Sequence, residues 1–225
     1  MHILLIHGLA RTSLSLARLE QRLRQAGHHT EQFSYFAFAE DFDAIAQRLN
    51  HTLQALARRG PYGVVGHSLG GVLTRAALGL GQLPALPCQV VMLGTPNQPP
   101  RLASLAWNLW PFRWFTGQCG RNLTCRQFYD RLPTLQSPYT IVAGIGGPTG
   151  PLSPFGEEVN DGIVALSETA MTPQDTLIPV PTWHTFMMDH PQVQTIILTT
   201  LAEGSVQPAW EADKKVAPPS RGWRG

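Results

Sequence analysis

No stretch of the chain reaches the roughly 18 consecutive apolar residues that a membrane-crossing helix requires, so no transmembrane segment is expected. Charge is also scarce, at 14% of the residues. The formal charge of +2 comes entirely from residues 204–225, where Lys214, Lys215, Arg221 and Arg224 outnumber Glu211 and Asp213. The body is therefore neutral, and without a clustered basic face a nucleic-acid partner is not expected. Cysteine is limited to Cys88, Cys119 and Cys125, an odd number without metal-like spacing. That excludes a disulfide framework; Cys119 and Cys125 could pair in an oxidising compartment, and idle thiols are the expectation. The opening residues Met1, His2, Ile3, Leu4, Leu5 and Ile6 have no basic segment ahead of them and read as a core strand, not a secretory leader. A cytoplasmic protein is expected.

Hydrophobic residues make up 43% of the 225, enough to bury one sizeable core. Short apolar runs at 3–6, 63–65, 89–93, 139–143 and 176–180 read as strands. Between them, residues 14–26, 44–57, 69–80 and 191–202 carry apolar positions at helical spacing or read as further helices. Strands apolar on both faces and separated by helices imply an α/β architecture, with a mostly parallel sheet covered on both sides. In such sheets ligands bind beyond the carboxyl ends of the strands. Two segments depart from the alternation. Residues 96–137 hold Trp107, Trp110, Phe112, Trp114 and Phe115, too many aromatics for a simple crossover. Residues 204–225, rich in Pro, Gly and charge, read as a flexible tail beyond a single domain of residues 1–203.

The strongest chemical motif is Gly66-His67-Ser68-Leu69-Gly70-Gly71, of the form G-x-S-x-G, after a short strand and opening a helical run. A strand that turns at once into a helix leaves its serine on a strained backbone, with the hydroxyl raised above the sheet. The flanking glycines leave room for that turn. The Leu69 amide, in the first helical turn, points where an oxyanion would form. A serine that merely caps the helix is the competing reading, and the partners elsewhere in the chain argue against it.

With the order Ser, acid, His, only His184 and His190 follow Ser68 as bases. His184 lies just past the last strand, whereas His190 precedes Pro191 at the start of the last helix. Among the acids, Asp130 sits in the aromatic excursion, Asp175 precedes its strand, and Asp189 is too close to His184. Asp161, in Asn160-Asp161-Gly162, is preferred, with Glu157 and Glu158 as runners-up; its task would be to fix the imidazole tautomer. A second oxyanion donor is expected from the Leu9 amide, after His7-Gly8, with His7 bracing that loop and taking no proton.

His7-Gly8-Leu9, Gly66 to Gly71, Gly94-Thr95-Pro96-Asn97, Asp161-Gly162-Ile163-Val164 and His184-Thr185-Phe186-Met187 together resemble the bacterial lipase/esterase branch of the α/β-hydrolase superfamily, including PGAP1-like hydrolases. The resemblance covers about residues 1–200. It implies hydrolysis of a carboxylic ester through an acyl-enzyme, with residues 96–137 acting as a short lid or acyl pocket and the aromatics there contacting substrate. Relative to that family the first two strands are missing, which leaves a reduced sheet of about six strands. An acyltransferase or thioesterase would use the same triad, and a non-catalytic binding protein would keep the fold alone. No cofactor or metal is called for, since covalent catalysis needs none. The expected partner is a small-molecule or lipid ester, with peripheral membrane contact left open.

Overall fold

The computed structural model describes residues 1–206 of the chain. Six strands form one sheet: β1 (His2–Ile6), β2 (His29–Phe33), β3 (Tyr62–His67), β4 (Gln89–Leu93), β5 (Tyr139–Gly144) and β6 (Leu177–Val180). Their order is β2-β1-β3-β4-β5-β6 and every neighbouring pair is parallel. The principal helices are α1 (Ala17–Gln25), α2 (Phe42–Arg59), α3 (Leu69–Gly79), α4 (Arg101–Ala106), α5 (Trp110–Leu123), α6 (Arg126–Arg131) and α7 (Pro191–Val206).

Strand parity decides which helix covers which face. Leu4, Ile6, Val64, Val90, Met92 and Ile141 pack into one cluster with Leu49 and Leu53 of α2 and Val72 and Leu73 of α3. The alternate residues Ile3, Leu5, Val65, Val91, Leu93 and Val142 pack on the other face with Leu19 and Leu23 of α1 and Ile197 and Leu201 of α7. A sheet sandwiched this way has no polar face, which is why its central strands are uninterrupted apolar runs.

The edges read differently. β2, the sequence His-Thr-Glu-Gln-Phe, buries only Phe33. It is the sixth strand that hydrophobic patterning cannot locate, because an edge strand needs one apolar residue and several hydrogen-bonding ones. β6 carries Pro179, whose missing N–H is tolerated at the opposite edge.

The chain moves from β1 outward to β2 through α1, then returns through α2 to β3 on the other side of β1. The sheet's switch point thus lies between β1 and β3, where a crevice opens at the carboxyl edge. Register aligns Ile6 with Gly66, His67 with Leu93, and Leu93 with Val142. The residues that follow, Gly8, Ser68 and Gly94, therefore emerge along one edge.

Helix α7 continues through Val206, three residues beyond the domain end expected from composition. The rest of the anticipated tail, 207–225, lies outside the described residues. None of the helices among the described residues is long and apolar enough to cross a membrane. Cys88, Cys119 and Cys125 are free thiols.

Candidate active site

Ser68 sits between β3 and α3 with φ 54° and ψ −122°, a left-handed conformation that costs a non-glycine residue about 1–3 kcal/mol. The surroundings hold it there. The Ser68 N–H donates to the Leu93 carbonyl at 2.8 Å, and the Ser68 carbonyl accepts from the Gly71 N–H at 3.0 Å. A side chain on Gly70 would meet the Ile6 carbonyl oxygen at 2.4 Å, and one on Gly66 would meet the Gly71 nitrogen at 2.7 Å. The glycines around Ser68 are thus set by the close approach of α3 to the end of β1 and to its own strand.

His184 opens a short 3-10 turn, His184–Asp189, that follows β6. Its Nδ1–H donates to Asp161 Oδ2 at 2.7 Å, with both side chains buried. The other carboxylate oxygen, Oδ1, accepts the Ile163 and Val164 N–H groups at 2.9 and 2.7 Å. The backbones are joined as well, since the His184 N–H donates to the Asp161 carbonyl at 2.9 Å. Asn160 accepts from the Gly162 N–H at 2.8 Å, closing a turn in which Gly162 has φ 92°. This turn turns the Asp161 carboxylate toward the imidazole. Gly94 lies against the pair: its missing side chain would stand 3.0 Å from His184 Nδ1 and 3.1 Å from Asp161 Oδ2.

The other acids are engaged elsewhere. Asp175 accepts from the Tyr139 hydroxyl at 2.7 Å at the amino end of β5. Glu158 pairs with Arg101 at 2.6 Å, Glu157 is exposed, and Asp130 pairs weakly with Arg126 at 3.6 Å. His190 stands at the head of α7, its carbonyl accepting from the Gln194 N–H at 3.0 Å.

On the opposite wall, a side chain on Gly8 would lie 3.0 Å from the Ser68 Cβ, so the loop after β1 abuts the serine. The next residues are Leu9 and Ala10, the latter also strained at φ 52°. Neither the Leu9 nor the Leu69 amide has an acceptor among the described residues. His7 holds this loop from below. Its Nδ1–H donates to the Gly8 carbonyl at 2.9 Å, its ring stacks on Tyr35 at 4.2 Å, and burial lowers its pKa.

Ser68, His184 and Leu9 line one cavity of about 560 Å³. Of the five excursion aromatics expected to contact substrate, Phe112 and Phe115 line it and Trp107, Trp110 and Trp114 do not. Trp107 instead packs edge-on against Phe112, while Trp110 and Trp114 lie exposed on α5, which kinks at Gly117 (φ 52°). Helical geometry explains the split, because residues 112 and 115 share a face that 110 and 114 leave.

Four supporting residues, His67, Arg75, Asn97 and Arg11, have no role assigned from the sequence. His67 donates Nε2–H to the His184 carbonyl at 3.0 Å, with ring centroids 4.8 Å apart. Its complete burial, followed by the positive fields of neighbours that include Arg11, holds its pKa well below the ordinary range, so it is a neutral strut. Buried Arg75 donates to Asn97 Oδ1 at 3.0 Å and to the Pro133 and Leu132 carbonyls. Asn97 in turn donates to the Thr169 carbonyl at 2.7 Å, linking helix α3 to the segment after the acid. Arg11 donates to the Thr185 carbonyl at 3.1 Å, and both residues line the cavity. A lone arginine two residues past His-Gly-Leu was the available sequence signal for it.

No protein-family model matches the sequence, and a search of curated proteins finds no relative. Among solved structures the chain is similar to the mature lipase BlEst2 of Bacillus licheniformis, at 20% identity and TM-score 0.72 over 88% of this chain and 90% of that one. It is similar also to the phospholipase PlaB of Legionella pneumophila, at 15% identity and TM-score 0.66, covering 95% of this chain and 62% of that one. The RedJ thioesterase of Streptomyces coelicolor matches at 14% identity and TM-score 0.58, over 91% of this chain and 90% of that one. At such identities the likeness shows the fold, which is that of the α/β-hydrolases.

Proposed function

We propose that the protein is a serine hydrolase of carboxylic esters, with Ser68 as nucleophile, His184 as base and Asp161 as the acid that orients it. The observation that carries this reading is the buried 2.7 Å bond from His184 Nδ1 to Asp161 Oδ2, with His184 and the strained Ser68 lining one cavity. Donation from Nδ1 leaves Nε2 unprotonated, the tautomer a general base needs. His184 takes the Ser68 proton as Oγ bonds to the ester carbonyl carbon, and the Leu9 and Leu69 amides receive the oxyanion. The C–O bond then breaks, the proton passes to the departing alcohol, and water releases the acid from the acyl-enzyme by the same route. Segment 96–137 serves as a short lid over the acyl chain, with Phe112 and Phe115 as its contacts.

Lipase, phospholipase and thioesterase neighbours support ester or thioester hydrolysis as the reaction class. Within the superfamily the motifs favour the lipase/esterase branch with its PGAP1-like members. The test is labelling by a fluorophosphonate probe, together with p-nitrophenyl ester hydrolysis. The wild type is expected to label and to turn over, and Ser68→Ala to do neither. A wild type that resists the probe, or a Ser68→Ala variant that keeps its activity, overturns the assignment.

A further inference from the structure

Only three arginines among the described residues are withdrawn from full exposure: Arg11, Arg75 and Arg101. Two are engaged by acceptors within the protein. Arg101 pairs with Glu158 and Glu168, and Arg75 donates to three oxygens. Arg11 makes one bond, to the Thr185 carbonyl, and has no carboxylate partner among the described residues. A guanidinium has five donors in a planar fork that fits an oxyanion with two parallel bonds. Most of that capacity is unspent here.

Its position is equally specific. Arg11 lines the 560 Å³ cavity that holds Ser68 and His184, and also a second cavity of about 250 Å³ bordered by Thr12, Phe36, Phe38 and Phe115. It is the one permanently charged side chain among the described residues lining either space. On the loop after β2, the Glu40 carboxylate is taken by Arg48 and the Phe36 N–H. His7, in the wall of the smaller cavity, is kept neutral by burial. An anion entering there meets one positive group, no negative one, and apolar walls that weaken screening.

We propose that Arg11 recognises an oxyanion, phosphate or carboxylate, on the alcohol side of the ester cleaved at Ser68. This rests on the hydrolase reading above. The acyl chain occupies the larger, apolar cavity and the charged alcohol the smaller one, with the scissile carbonyl between them beside Gly8. As the acyl carbon bonds to Ser68 Oγ and the ester C–O bond breaks, His184 returns the serine proton to the departing alkoxide. The leaving group departs as a neutral hydroxyl that still carries its anion on Arg11. Arg11 is then a specificity residue as well as a tie between the Leu9 and His184 loops.

Three esters with one acyl chain separate the possibilities: decanoylglycerol, decanoylglycerol phosphate and decanoylglycerate. For the wild type, kcat/KM is expected to favour the anionic esters by about tenfold or more, and Arg11→Gln to lower that preference about 10- to 100-fold, as for loss of a charged hydrogen bond. Arg11→Lys should recover part of it. Whether phosphate or glycerate gains more identifies the anion. No anionic preference in the wild type, or an equal loss on all three esters in Arg11→Gln, overturns the proposal and leaves Arg11 as a strut. Titration calorimetry of Ser68→Ala with decyl phosphate and decanol gives a readout that needs no turnover. If no ester is hydrolysed the hydrolase reading falls, whereas decyl phosphate binding that is insensitive to Arg11→Gln sinks the Arg11 assignment itself.

Discussion

The imidazole of His184 gives its Nδ1 proton to one oxygen of Asp161 while the other oxygen is held by the Ile163 and Val164 amides. The carboxylate is therefore fixed before it orients the histidine. Asp161→Asn keeps the shape but favours the wrong imidazole tautomer, and kcat on p-nitrophenyl esters is expected to fall about ten-thousand-fold with the fold intact. Circular dichroism alongside the kinetics separates this from unfolding; a folded variant with near-normal kcat would remove Asp161 from the mechanism.

That pair was legible in the sequence, and the reasons mark the limits of such reading. Ser68 announces itself because a strand-to-helix turn demands glycines at 66 and 70. His184 and Asp161 follow by elimination, since few histidines and acids stand after a strand. The inner strands are legible because both of their faces are buried. β2 is not, because it buries one residue in five. Nor could pattern tell Phe112 and Phe115 from Trp107, Trp110 and Trp114, since composition fixes how many aromatics a segment has but not which face of a kinked helix meets the cavity. Asn97 stands in a quoted motif, but its bond to Arg75 stayed hidden because it joins residues with no shared local pattern.

Gly94 is expected to be as sensitive as a reacting residue although it has no functional group. Its φ is 52°, and an added methyl would press on both His184 Nδ1 and Asp161 Oδ2. Gly94→Ala should cost about 1–3 kcal/mol of stability from backbone strain. It should also lose on the order of a hundredfold in kcat by displacing the pair. Chemical denaturation and steady-state kinetics on the same preparation measure both; full activity would show that the imidazole adjusts without cost.

Among the described residues Asn97 supplies the only side-chain acceptor of buried Arg75, and it also ties down the Thr169 carbonyl. Burial depresses the guanidinium's pKa without discharging it, so truncation strands a cation. Asn97→Ala should destabilise by about 2–3 kcal/mol in urea titrations. A loss under about 0.5 kcal/mol would mean that the two main-chain acceptors suffice.

Acid should weaken the fold through His67 and His7, whose pKa values burial pushes down. Above about pH 6.5 both are neutral folded or unfolded and contribute no pH dependence. Below it the unfolded chain binds protons that the folded one refuses, so stability falls on acidification by about 1.4 kcal/mol per pH unit for each such group. Urea midpoints between pH 7.5 and 5.5 should drop, and His67→Gln, which keeps a donor for the His184 carbonyl, should flatten the slope by about one proton. An unchanged slope would show that His67 takes up its proton in the native state.

The larger cavity is the place where ester preference should be set. Its walls are mainly apolar, with Leu102, Ala103, Leu123 and Val164 joining Phe112 and Phe115. Each methylene that leaves water there is worth about 0.8 kcal/mol, or close to fourfold in kcat/KM, until the space is filled. A series of p-nitrophenyl esters of increasing acyl length should climb and then level off. Phe112→Ala should shift the plateau to longer chains, because it enlarges the cavity, while Trp110→Ala and Trp114→Ala should leave it where it is, since neither ring borders the space. A profile flat from the shortest ester onward would place the acyl chain outside this cavity and leave the lid as packing alone.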